Sequence, residues 1–190
     1  EHCYYCFDVL EAALKRASPP KPRFVPGDDS MQRRPLFVTW NTISAKGDRR
    51  LRGCIGTFGP VPLESGLADY AKTSAFKDHR FSPITERELA SLECGISLLT
   101  PFEPCADYTD WTIGEHGIYI HVPSSSGRWL TATYLPDVIP EQGWSKREAV
   151  DSAIRKAGHT GSIDEALRRR LKVERYRSEK CSRTYEQWRA

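Results

Sequence analysis

At 190 residues, with 28 Lys/Arg against 25 Asp/Glu and a formal net charge of +3, the chain is sized for one globular domain that buries about two thirds of its surface on folding. A mean hydropathy of -0.55 and no stretch near the roughly 20 apolar residues of a spanning helix exclude a helical membrane protein. Six scattered cysteines in a chain this large read as reduced thiols rather than a disulfide framework.

Residues 3 to 16 carry apolar side chains at helical spacing (Cys3, Cys6/Phe7, Leu10, Ala13/Leu14), and Ser18-Pro-Pro-Lys-Pro22 ends the helix. The spacing Cys3-Tyr-Tyr-Cys6 is half a zinc site, but no second Cys-x-x-Cys or His pair follows it, so an apolar stripe is the simpler reading. A polar loop runs to about Arg34. Leu36–Ile43 is β-branched and aromatic, and the turn residues Ala45–Asp48 fold it back onto Leu51–Phe58 as a hairpin. After Pro60 and Pro62, apolar spacing predicts a helix to about Phe76. A polar loop, Lys77–Pro83, follows, and Thr85 with Glu88 has the pattern of a capping box.

Leu92–Leu99 reads as a strand, and Gly117–Val122 with Arg128–Leu135 as a second hairpin around Ser124–Gly127. Glu148–Ala157 is helical up to Gly158; Ser162–Arg170 reads as another helix and Leu171–Tyr176 as a late strand. Hairpins interleaved with helices predict an α+β fold whose sheet is mostly antiparallel or mixed. The chain opens at Glu1 with no methionine or basic-then-apolar leader, which reads as a region cut from a longer protein. The single Asn forms no glycosylation acceptor, in keeping with an intracellular protein of cytoplasm or nucleus.

The chemistry concentrates in Leu51-Arg-Gly-Cys-Ile-Gly-Thr-Phe58. Glycine weakens a strand, so Gly53 and Gly56 around Cys54 imply a bulge, a bend or a close backbone approach. If a ligand is what approaches, the Cys54 sulfur could attack it, and Arg52 would favour a thiolate and hold an anion. The bland alternative is a small buried cysteine. A thiol nucleophile wants a base, and among His79, His116, His121 and His159 the residue at a strand start, His116, is preferred. Asp78 and Arg80 could pair and close over the site; the duller account is a surface salt bridge. No nucleotide, zinc-protease or calcium pattern occurs, so neither cofactor nor metal is expected. From Trp144 to Ala190 there are 13 Lys/Arg against 7 Asp/Glu, including Arg168-Arg-Arg170. This tail reads either as a solvated helix end or as a face for an acidic partner.

The signature 51–58, together with Leu36–Trp40, Lys77-Asp-x-Arg-Phe-x-Pro83, His116-Gly-Ile118, Thr131–Pro136, Glu141–Trp144 and Arg175–Lys180, closely resembles the AMMECR family, in its eukaryotic branch. The resemblance covers nearly the whole chain. It implies one domain, 1–190, of two unequal α/β lobes, with a smaller lobe over roughly 60–110 and the signature lining a cleft. It implies no settled activity. On that basis the leading expectation is an enzyme acting through Cys54, with His116 as base and Arg52, Gly53, Gly56, Asp78 and Arg80 as binding residues. Its substrate would be a small or peptidic anion. The alternative is a non-catalytic adaptor for a protein or RNA partner; the RNA reading rests only on the basic tail and aromatics such as Tyr176. No membrane association is expected.

Overall fold

Leu36, Val38 and Trp40, every second residue after Pro35, are fully buried, and they place one face of strand β1 (Arg33–Ile43) on an apolar core. In the computed structural model, which describes residues 1–24, 33–124 and 127–190, β1 is the centre of a four-stranded sheet. It pairs antiparallel with β2 (Arg49–Pro62) and β3 (Leu92–Leu99), and β8 (Ser178–Thr184) lies beyond β3. The register of β1 against β2 shifts around Pro35, where a ladder donor is missing, and again after Trp40. Pro60 and Pro62, expected to end the strand, lie inside β2 because β2 is an edge strand with one side free of ladder bonds.

Helices α1 (His2–Leu14) and α2 (Leu63–Phe76) cover the buried face of this sheet. Phe7, Leu10, Leu67 and Trp40 are sealed between them, each contributing about 1.5–3 kcal/mol of burial. The Trp40 Nε1–H donates to the Ala71 carbonyl at 3.1 Å, so the indole carries no unpaired polar atom into the core. The Thr85/Glu88 capping box is present, on a 3-10 helix, Glu86–Ser91. The sheet, its helices and the later helix α6 (Tyr185–Arg189) belong to unit 1, Glu1–Leu99 with Glu179–Ala190. There Trp188 stacks on Phe7 with ring centroids 5.6 Å apart and donates to Asp8.

Unit 2 is Thr100–Ser178. Its antiparallel sheet runs β4 (Glu103–Pro104), β7 (Lys172–Tyr176), β5 (Gly117–Pro123), β6 (Trp129–Tyr134). Ile118, Ile120, Val122 and Val173 pack on Val150, Ala153 and Ile154 of α4 (Lys146–Lys156). A Ser145/Glu148 capping box starts α4, and Gly158 at φ +97° follows its end. Two short helices, α3 (Val138–Glu141) and α5 (Glu165–Arg169), complete the unit; α5 is shorter than the predicted 162–170 because Asp164 caps it late.

The fold class is α+β, with two antiparallel sheets flanked by helices. The expected smaller lobe, roughly 60–110, straddles the division: residues up to Leu99 pack with unit 1 and only 100–110 belong to unit 2. Part of the polar loop before Arg34, and part of the Ser124–Gly127 turn, lie outside the described residues.

Candidate functional site around Cys54

Each glycine of the signature is explained by a neighbour from within unit 1. Gly53 sits opposite Trp40, on the core face, and a Cβ there would fall on the carbonyl oxygen of Ser74 in α2. Gly56 sits opposite Phe37, and a Cβ there would strike the Phe37 ring and the Leu36 carbonyl. The close approach inferred from the sequence is therefore that of the protein's own backbone and an aromatic ring.

Cys54 is paired with Thr39, on the sheet face opposite the core. Its side chain is half-buried, and its Sγ accepts a hydrogen bond from Thr39 Oγ1 at 3.1 Å. The backbone is gripped as well. On the open edge of β2 the Cys54 N–H donates to Asp78 Oδ2 at 2.9 Å, while Arg80 Nη2 donates to the Cys54 carbonyl at 3.2 Å. Asp78 and Arg80 are ion-paired at 2.7 Å, and Arg80 Nε also donates to Asp78 Oδ1 at 2.9 Å. A carboxylate and a guanidinium thus stand where a neighbouring strand's carbonyl and amide would be, and they seal the edge at this residue. The Arg80 hydrogen bonds, aided by the Cys54 and Arg80 amides, hold the buried Asp78 carboxyl well below the usual carboxylate range against the effect of its burial.

Two cations lie within electrostatic range of Cys54: Arg80, and Lys180 of β8. Lys180 is itself pushed below the ordinary lysine value by partial desolvation, which its interaction with Cys54 opposes. Arg52 has other work. Its Nε donates to Glu88 Oε1 at 2.7 Å and its Nη1 to the Ser82 carbonyl at 2.7 Å, so the guanidinium ties β2 to the loop before the 3-10 helix.

His116 belongs to unit 2. Its Nδ1 accepts the Thr112 N–H at 3.0 Å, and its backbone N–H donates to the Thr112 carbonyl at 2.9 Å. Burial holds the imidazole below its ordinary value, against the pull of Glu115. The ring is neutral near pH 7 with its proton on Nε2, and its basic nitrogen is already used to fasten the 112–116 turn. Gly117 next to it is required by packing: a Cβ would lie 2.5 Å from the Tyr176 ring. Of the other histidines, His79 is exposed in unit 1, His121 pairs with Glu174 at 3.0 Å, and His159 meets the Ser162 carbonyl.

Thr39 and Lys180 are the residues of this site that sequence reasoning missed. The one signal for Lys180 was its place at the end of the Arg175–Lys180 block, but only the return of the chain to unit 1 as β8 brings its charge within range of Cys54. The basic tail also reads differently. Arg168 is buried and grips both carboxylate oxygens of Asp151 at 2.7 Å, so it cannot offer its charge to a partner. Among the described residues no group of three or more His, Cys, Asp or Glu could hold a metal ion, and no helix is long and apolar enough to cross a membrane.

Two four-stranded antiparallel sheets flanked by helices place the chain among the α+β proteins, with a cysteine strand pinned at its edge by an Asp–Arg pair. The AMMECR1 family model matches residues 3–181, and the chain belongs to that family. It is 46% identical over 190 residues to an uncharacterised protein of Arabidopsis thaliana, covering 99% of this chain and 86% of the relative. To an uncharacterised protein of Schizosaccharomyces pombe it is 44% identical, covering 99% and 94%. The crystal structure of an uncharacterised protein from Pyrococcus horikoshii superposes with a TM-score of 0.70 at 26% identity, over 95% of this chain and 89% of that one.

Proposed function

We propose that this AMMECR1-family protein is an intracellular enzyme whose nucleophile is the Cys54 thiolate, acting on a small or peptidic anionic substrate. The observation that carries the reading is the setting of the sulfur. It is half-buried, on the sheet face away from the core, hydrogen-bonded by Thr39 and acted on by the cations Arg80 and Lys180. Positive charge favours a thiolate over a thiol and also draws an anionic substrate to it. The backbone clamp by Asp78 and Arg80 holds the nucleophile on a rigid strand. Arg52, being committed to Glu88, serves this reading as a strut, and no proton is routed through His116.

The test is site-resolved alkylation of the folded protein with iodoacetamide near pH 7. Cys54 should label faster than Cys105, which is also half-buried but whose thiol burial pushes up to about 11, and Lys180→Gln should slow Cys54 selectively. Cys54 labelling no faster than Cys105 would overturn the proposal.

A second reading, a non-catalytic adaptor, draws on one feature of unit 2. Trp129 is 47% exposed, with Lys172 Nζ 4.8 Å from the ring centroid, which suits an acidic, partly apolar partner segment. Under it, Trp129→Ala would weaken binding of an acidic peptide and Cys54→Ser would not.

A further inference from the structure

The sequence separates Cys3 and Cys6 from Cys94 and from Cys181, and the fold of unit 1 reunites them. Cys3 and Cys6 lie in α1, Cys94 in β3 and Cys181 in β8. The Sγ atoms of Cys3 and Cys181 are 3.4 Å apart, and the Cys94 thiol interacts with those of Cys3 and Cys6. All four are free thiols. Exposure divides them: Cys181 is exposed, whereas Cys3, Cys6 and Cys94 are buried.

We propose that Cys181 and Cys3 form a thiol pair that reacts with an anionic low-molecular-weight disulfide of the glutathione type, closing a reversible bond between α1 and β8. The exposed Cys181 is the only member of the four that an outside molecule can meet. Its thiolate attacks one sulfur of the small disulfide, the external S–S bond breaks, and the first small thiolate leaves. Cys3 is the resolving group. Its thiolate attacks the Cys181 sulfur, the Cys3–Cys181 bond forms, and the second small thiolate leaves. The two protons given up by the cysteines end on the two released thiols. The protein pair is oxidised by two electrons and the small disulfide is reduced by two.

Three features favour this order. The two sulfurs need move only about 1.4 Å to reach bonding distance of roughly 2.05 Å. The paired sulfurs share a proton: the hydrogen bond from Cys181 holds Cys3 well below the ordinary thiol value, so the Cys3 sulfur, 3.4 Å away, takes the Cys181 proton as Cys181 attacks and passes it to the first small thiolate released. Arg183, two residues on, places its positive charge on both sulfurs, which suits a disulfide carrying carboxylates better than a neutral one.

The experiment exposes the whole protein to glutathione disulfide and maps thiols by mass spectrometry after acid quenching. Wild type should give a Cys3–Cys181 linked peptide that dithiothreitol reverses. Cys3→Ser should halt at a mixed disulfide on Cys181, and Cys181→Ser, at an exposed position where folding is not at stake, should give neither product. Hydroxyethyl disulfide, which is neutral, should react several-fold more slowly than glutathione disulfide at low ionic strength, and Arg183→Gln should remove that difference. A wild-type product that stays as a mixed disulfide on Cys181, or Cys3 modified equally in the Cys181→Ser protein, would overturn the proposal. The Cys54 alkylation assay is independent of these outcomes.

Discussion

Replacing Gly53 with alanine places a methyl group on the Ser74 carbonyl oxygen, with the Ser74 carbonyl carbon 3.1 Å away. Both partners are backbone, so no flexible side chain can swing clear. To restore ordinary contact, β2 and α2 must part by about 1 Å, an overpacking cost of about 3 kcal/mol. The shift also strains the Trp40 Nε1 bond to Ala71, which lies on the same helix one turn before Ser74, for about 1 kcal/mol more. A loss of about 4 kcal/mol in a unit of this size lowers Tm by roughly 15 °C or more. Thermal unfolding followed by circular dichroism measures it. Gly95→Ala is the matched control, because its Cβ would lie 3.7 Å from Thr39 Cβ, an ordinary contact, and its stability should stay within about 1 kcal/mol of wild type. If Gly53→Ala melts within a few degrees of Gly95→Ala, the account of why the signature carries glycine there is wrong.

Asp78→Asn should be less stable than wild type at pH 7 by about 1–3 kcal/mol, since it loses the charge in its bonds to Arg80 and the Cys54 amide. The native carboxyl titrates below its unfolded value of about 3.9, so its stabilisation is fully present above that pH and disappears as pH falls towards the folded value. The gap between variant and wild type should therefore close below about pH 4 in an acid titration, and a gap that persists undiminished there contradicts the assignment. Arg168→Ala should cost about 2 kcal/mol by urea midpoint, less than the 3–5 of a fully buried pair because Asp151 keeps some solvent; no loss would return Arg168 to the list of partner-binding residues. Arg52→Ala should lower stability by about 1–2 kcal/mol, by stranding Glu88 and the Ser82 carbonyl, yet leave the Cys54 alkylation rate unchanged. A slowed Cys54 would restore the anion-clamp role first read for Arg52.

The parts of the fold that repeat a local period were readable from the residues. The β-branched and aromatic run Leu36–Ile43 announces a strand, and Thr85 with Glu88 announces a helix start. Strand β8 was missed because Ser178–Thr184 is almost wholly exposed and polar, with no alternation to betray it; it is a strand only because β3 offers it an edge. Helix α6 was missed for a similar reason, being five residues held by Trp188 on Phe7 from the far end of the sequence. The signature drew attention to Cys54, but its partners Thr39 and Lys180 and the thiols around Cys3 are products of tertiary pairing that no spacing encodes. The Asp78–Arg80 pair was visible as a sequence neighbourhood; its job of sealing the β2 edge was not.

Unit 2 is spliced into unit 1 between β3 and β8, and this has a consequence during synthesis. A ribosome making about 5–20 residues per second takes on the order of ten seconds to pass from Leu99 to Glu179. Throughout that interval the nascent unit 1 carries β3 with a bare outer edge, and Phe7 without the cover of Trp188. Its completion waits on the translation of the whole insert, so any pause within codons 100–178 prolongs the time in which a holdase or a stray strand can capture it.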